Sequence, residues 1–147
     1  MSLVSRRRSG AYELELHQID DLGEETALGT VKALGADRYT IRFLKELGVF
    51  DQSDYVVVAK VEHRVVGVFG LMRCGGWETR GTYTIASYRR KGVAKAMWNF
   101  AVRSLCVRAL DCIVITRSGR GFAEAWKKTR TARLHIIDDV TPWRMPA

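Results

Sequence analysis

Hydrophobic and polar residues alternate along AYELELH at 11–17, the period-two pattern of a half-buried strand. The following IDDLGEETALGTVKAL places acids near its start and reads as a helix. In DRYTIRFLKELGVF, Tyr39, Ile41, Phe43, Leu44 and Leu47 form a rough helical stripe with Gly48 as its stop. The pattern changes after Asp51 and Asp54. The β-branched runs YVVVAKV and VVGVFGLMR, joined by Glu62-His63-Arg64, predict a hairpin, Gly75-Gly76 a turn, and residues 79–86 a further strand. Residues 92–110 make the longest helical pattern, with Val93, Met97, Phe100, Ala101 and Leu105 near one face. A buried strand over 111–116, a shorter helix from about 121 to 130 and a last strand, RLHII, complete the set. This is a mixed α/β order with antiparallel hairpins, not the regular alternation of a doubly wound fold.

The 147 residues, 47% of them apolar, suffice for one domain with one sizeable core. The expected division is a flexible basic N-terminus over 1–10, a single domain over 11–137 and a tail over 138–147, where VTPWRMPA holds both prolines and reads as extended. No apolar run approaches the roughly 18 residues that cross a bilayer, and no hydrophobic segment follows the cations of MSLVSRRRSG, so a cytoplasmic protein without a membrane partner is expected. Cys74, Cys106 and Cys112 are odd in number and form no Cys-x-x-Cys pair, while His17, His63 and His135 are scattered. A disulfide framework and a metal site are therefore not expected.

The net charge of +8 is unevenly distributed. Residues 79–137 carry thirteen Lys and Arg against Asp111 and Glu124 alone, whereas the rest of the chain carries eleven basic and fourteen acidic residues. A positive surface in the second half would attract a polyanion, either nucleic acid or a phosphate-rich small molecule.

That basicity is densest in TIASYRRKGVAKAMW, where Arg89, Arg90 and Lys91 sit between the end of a strand and the start of the longest helix. The first amides of a helix lack intrahelical acceptors and its dipole makes that end positive, so the loop entering it is suited to an anion. Gly92 and Ala94 let a phosphate come close to the backbone. The loop lacks the Gly-Lys-Ser/Thr ending of a Walker loop and the Gly-x-Gly-x-x-Gly of a dinucleotide fold. Arg89-Arg90-Lys91-Gly92-Val93-Ala94 instead resembles the Arg/Gln-x-x-Gly-x-Gly/Ala signature of the GNAT N-acetyltransferase superfamily, and lies where that superfamily has it, between the fourth strand and the third helix.

The resemblance implies a mostly antiparallel sheet splayed between its fourth and fifth strands, with the pantetheine arm of an acyl-CoA, acetyl-CoA foremost, in the opening. Arg89, Arg90, Lys91, Gly92, Val93, Ala94 and Lys95 would hold the pyrophosphate, and Thr84 and Ile85 would offer main-chain groups to the pantetheine. The acyl group would pass to an amine by direct attack, which calls for a base and often for an acid at the departing sulfur. The superfamily's usual tyrosine acid lies in the helix after the fifth strand, where this chain has Trp126. An indole N–H donates hydrogen bonds but is no practical proton source. Glu78, at the start of the fourth strand, and Tyr83, within it, are the candidate catalytic groups, and Cys74 could be read as a nucleophile or as a small turn residue. Arg117, Arg120, Lys127, Lys128, Arg130 and Arg133 lie beyond the diphosphate loop, with Trp126 or Phe122 able to stack a base among them. A catalytically impaired module that binds nucleic acid or another anionic partner is the alternative to an N-acyltransferase.

Overall fold

The computed structural model of the chain describes residues 1–20, 24–114 and 116–138. The extended reading of VTPWRMPA falls outside these residues, as does part of the segment expected as the first helix. Seven strands form one sheet in chain order: β1 (Ser2–Ser9), β2 (Tyr12–Gln18), β3 (Tyr55–Val61), β4 (Arg64–Arg73), β5 (Trp77–Thr84), β6 (Ala109–Val114) and β7 (Arg133–Asp138). β1 to β5 pair antiparallel, and β5–β6 and β6–β7 pair parallel. Among the described residues four α-helices accompany them: α1 (Ala27–Ala33), α2 (Arg38–Leu47), α3 (Val93–Ser104) and α4 (Arg117–Lys127). Among the described residues no helix is long and apolar enough to cross a membrane.

The central strands are apolar without interruption because both sheet faces are covered. Val56, Val58 and Val68 pack with Val31 of α1 and Leu44 of α2. Val57, Ala59 and Phe69 pack with Met97 and Trp98 of α3 and reach Trp126 of α4. Gly67 of β4 permits the close seating of α3, since a Cβ there would stand 2.7 Å from Val93 Cγ1 and 3.0 Å from Met97 Cε.

Four elements differ from the sequence expectation. Residues 1–10 are not a flexible arm in this structure: Ser2–Ser9 form β1, with Arg8 opposite Glu13 and Arg6 opposite Glu15. Cross-strand charge, with Arg6 Nε 3.2 Å from Glu13 Oε1, takes the place of the apolar alternation that marks inner strands. The helix expected over 92–110 ends at Ser104, because Cys106 turns left-handed at φ 52° and Ala109 already belongs to β6. α4 starts at Arg117, four residues earlier than expected, where Thr116 caps it by accepting from the Gly119 amide at 3.0 Å. α1 likewise begins late, at Ala27, behind the cap Thr26.

Candidate functional site: a cleft where β5 and β6 part

β5 and β6 pair only at Trp77–Leu110 and Glu78–Asp111. From Thr79 onward β5 has no β6 partner among the described residues, although β4 continues to pair with it as far as Thr84. A cleft of about 850 Å³ opens between the free end of β5, the first turn of α3 and α4. The N-termini of α3 and α4 both border it, through Gly92 to Lys95 of the first and Thr116, Ser118 and Gly119 of the second. The second of these helix ends has its own sequence signal, the Thr-x-x-Gly of a capped start, which the later helix boundary expected from the apolar pattern hides.

The loop from β5 into α3 is held by its own side chains. Arg89 Nε donates to the Thr84 carbonyl at 2.9 Å and its guanidinium lies over the Tyr83 ring at 5.4 Å. Lys91 Nζ lies over Tyr88 at 5.4 Å, and Tyr12 donates to the Lys91 carbonyl at 3.3 Å. Arg90 and Gly92 are left-handed, at φ 62° and 77°, and a Cβ on Gly92 would meet nothing within 4 Å. The amides of Val93, Ala94 and Lys95 occupy the first turn of α3, where no intrahelical acceptor serves them. This loop and the first turn of α3 therefore present unpaired backbone donors and the cations Arg89, Arg90 and Lys95 to one end of the cleft.

Of the expected cofactor-binding residues, Thr84, Arg89, Arg90, Gly92, Val93, Ala94 and Lys95 line the cleft. Ile85 and Lys91 do not. The Ile85 amide donates to Val66 at 3.0 Å, its carbonyl accepts from Tyr88 at 2.9 Å, and its side chain is buried in the core. The edge of β5 that has no β6 partner lies just before it, and at its end the Thr84 carbonyl already accepts from Arg89.

The two catalytic candidates separate. Tyr83 lines the cleft, its ring 4.6 Å from that of Phe43. Glu78 does not line the cleft, and its Oε2 accepts from Arg80 Nη2 at 2.9 Å. Cys74 is exposed in the β4–β5 turn, away from the cleft. Cys112 is buried beside β5; burial pushes its thiol up, against the opposing hydrogen bond with Thr79, so the nucleophilic thiolate is disfavoured.

Trp126 lines the cleft wall, and its indole N–H donates to Asn99 Oδ1 at 2.9 Å. It is only 2% exposed, edge-on to Trp98 at 5.2 Å, while Phe122 stands edge-on to Trp98 at 4.9 Å. Trp126 is thus a buried part of the aromatic wall, which corrects the expectation that its ring stacks a nucleobase among the surface cations, whereas Phe122 is half-buried and lines the cleft. Arg117, Lys127, Lys128, Arg130 and Arg133 are exposed around this region. Among the described residues no group of three His, Cys, Asp or Glu could hold a metal ion.

The sequence matches the model of the acetyltransferase (GNAT) family over residues 16–117. No curated protein matches it. Among solved structures the chain is similar to a GNAT-family acetyltransferase from Streptococcus pneumoniae TIGR4, with 17% identity, a TM-score of 0.50, and 78% of this chain and 84% of that one covered. It is also similar to a ribosomal-protein-alanine N-acetyltransferase from Brucella melitensis biovar Abortus 2308, with 19% identity, a TM-score of 0.47 and coverage of 78% and 89%. A GNAT-family acetyltransferase from Brucella melitensis in complex with acetyl-CoA gives 9% identity, a TM-score of 0.39 and coverage of 66% and 73%. The match spans β3 to α3 whole, and with it the whole Arg89 to Ala94 signature, so the chain belongs to the GNAT acetyltransferase family.

Proposed function

We propose that the protein is an N-acyltransferase that takes acetyl-CoA as co-substrate and passes the acyl group to an amine by direct attack. The observation that carries this reading is the cleft of about 850 Å³ that runs from the unpaired edge of β5 to the amides and cations at the start of α3. A diphosphate suits the first-turn amides of Val93, Ala94 and Lys95, with Arg89, Arg90 and Lys95 supplying charge. An extended chain bearing amides suits the free edge of β5, which it would lengthen as an added strand does.

The co-substrate supplies an acyl group activated as a thioester. The protein's part is to align the amine with that carbonyl, keep water out and manage two protons. The amine must lose a proton to attack, and the sulfur must gain one as the C–S bond breaks. We assign the second role to Tyr83, which lines the cleft at the free end of β5, since a phenol can donate a proton where an indole cannot. Glu78 is not retained as the base, because Arg80 holds its carboxylate outside the cleft lining.

The test is calorimetric titration with acetyl-CoA and with free CoA. Saturable binding at micromolar concentration is the expected result. Failure of both ligands to bind would remove the reading.

A further inference from the structure

Arg80 is not accounted for by the cofactor cleft. It is the extra residue of a bulge in β5: Gly70 faces Gly81 and Leu71 faces Thr79, leaving Arg80 without a partner on β4. Its side chain is only 11% exposed. Nη2 reaches Glu78 Oε2 at 2.9 Å and Met72 Sδ at 3.4 Å, but Nε is buried with no hydrogen-bond partner. A guanidinium offers five N–H donors and cannot shed its charge, so burying it with donors unpaired is costly unless another group completes the set.

Arg80 lines a chamber of about 100 Å³ between β5 and β6 whose walls are otherwise mainly apolar, with Phe43, Leu47, Val49 and Ile113 among them. The chamber lies next to the cofactor cleft, since Phe43, Thr82, Gly119 and Phe122 border both. A ligand lying along β5 with its reactive end near Thr82 thus has this chamber next to it. A small, mainly apolar pocket with one arginine in its wall fits a short aliphatic group ending in a carboxylate.

We propose that this chamber is a carboxylate subsite, in which Arg80 pairs with the carboxylate of one of the two reacting partners. The inference deepens the acyltransfer reading and rests on it for the identity of those partners. The carboxylate belongs either to the amine acceptor, which is then an amino acid, or to the acyl group, which is then a dicarboxylic one.

Two measurements test it. Independently of acyl transfer, 3-methylbutanoate raises the melting temperature of the protein whereas 3-methylbutanamide does not, and Arg80→Met abolishes the difference. Because that variant leaves Glu78 without its partner, Arg80→Met/Glu78→Gln is run beside it, and both are first checked for a cooperative melt. In steady-state kinetics, phenylalanine is compared with phenethylamine as acceptor, and succinyl-CoA with acetyl-CoA as donor. The carboxylate-bearing member of one pair is preferred at least tenfold in kcat/KM, and the preference collapses toward one in both variants. Preference in the first pair places the carboxylate on the acceptor, and preference in the second places it on the acyl group. Equal melting shifts for the two probes, or a preference that survives loss of Arg80, overturns the subsite. Failure of CoA itself to bind the unaltered protein would overturn the acyltransfer reading instead and leave the melting test standing.

Discussion

Gly92 is the residue on which the cofactor reading can be tested most directly. Its left-handed backbone, at φ 77°, disfavours any side chain by about 1 kcal/mol, yet a Cβ there meets no neighbour, so the fold should tolerate a substitution. Gly92→Asp adds a negative charge beside the first-turn amides of α3. The expected outcome is loss of CoA binding in calorimetry with a modest fall in melting temperature, while Gly92→Ala, which shares the strain but not the charge, retains most of the affinity. Equal affinity for the Asp variant and the parent protein would mean that the pyrophosphate does not bind there. Tyr83 offers a second test. Tyr83→Phe keeps the ring on Phe43 and removes only the hydroxyl, so kcat should fall by on the order of a hundredfold. An unaltered kcat would assign Tyr83 to packing alone.

At the scale of elements, the cleft depends on where α3 begins. Val93 is both the first residue of α3 and the side chain nearest to Gly67 of β4, so the sheet sets the height of the helix end that presents the amides. Gly67→Ala places a methyl 2.7 Å from Val93 Cγ1 and must displace it. The expected cost is about 1–3 kcal/mol in denaturant unfolding, with weakened CoA binding because the amides of 93–95 move with Val93. Destabilisation with unchanged CoA affinity would show that this contact does not position the helix end. Much at this scale is legible in the chain: α2 runs from its cap Asp37 to Gly48 as the stripe and stop signals imply, and the hairpin turns at Glu62-His63, both of positive φ. β1 is not, because an edge strand held by Arg6 against Glu13 has no apolar period to read.

For the molecule as a whole, a buried charge cluster ties the first three strands together. Glu15 on β2 lies 2.9 Å from His17 Nε2, 3.2 Å from Lys60 Nζ on β3 and 3.6 Å from Arg6 Nη2 on β1. Burial alone would raise the Glu15 carboxyl, but hydrogen bonds and charges from His17 and Lys60 outweigh it and hold it below the usual value of 4.5. A carboxyl lowered in the folded state stabilises the fold above its unfolded pKa, and that contribution is lost as pH falls through the lower folded value. Urea unfolding of the parent and of Glu15→Gln should therefore differ most near neutral pH, and the gap should shrink progressively as the pH falls below 4.5. A gap that stays constant down to pH 3 would mean that the charge of Glu15 adds nothing.

The sequence by itself determined the chemistry of the anion loop, since three cations, a glycine and a helix start are local features that need only neighbours along the chain. It also determined the mixed α/β order, because the period of the apolar residues reports which segments have one buried face and which have two. Tertiary structure decided everything that depends on two distant segments meeting. β5 has no β6 ladder partner after Glu78, Glu78 pairs with Arg80 and does not line the cleft, and Asn99 takes the Trp126 N–H. None of these could be read from spacing, because each is set by register between strands or by helix packing, and a shift of one residue in either would give the same local pattern a different partner.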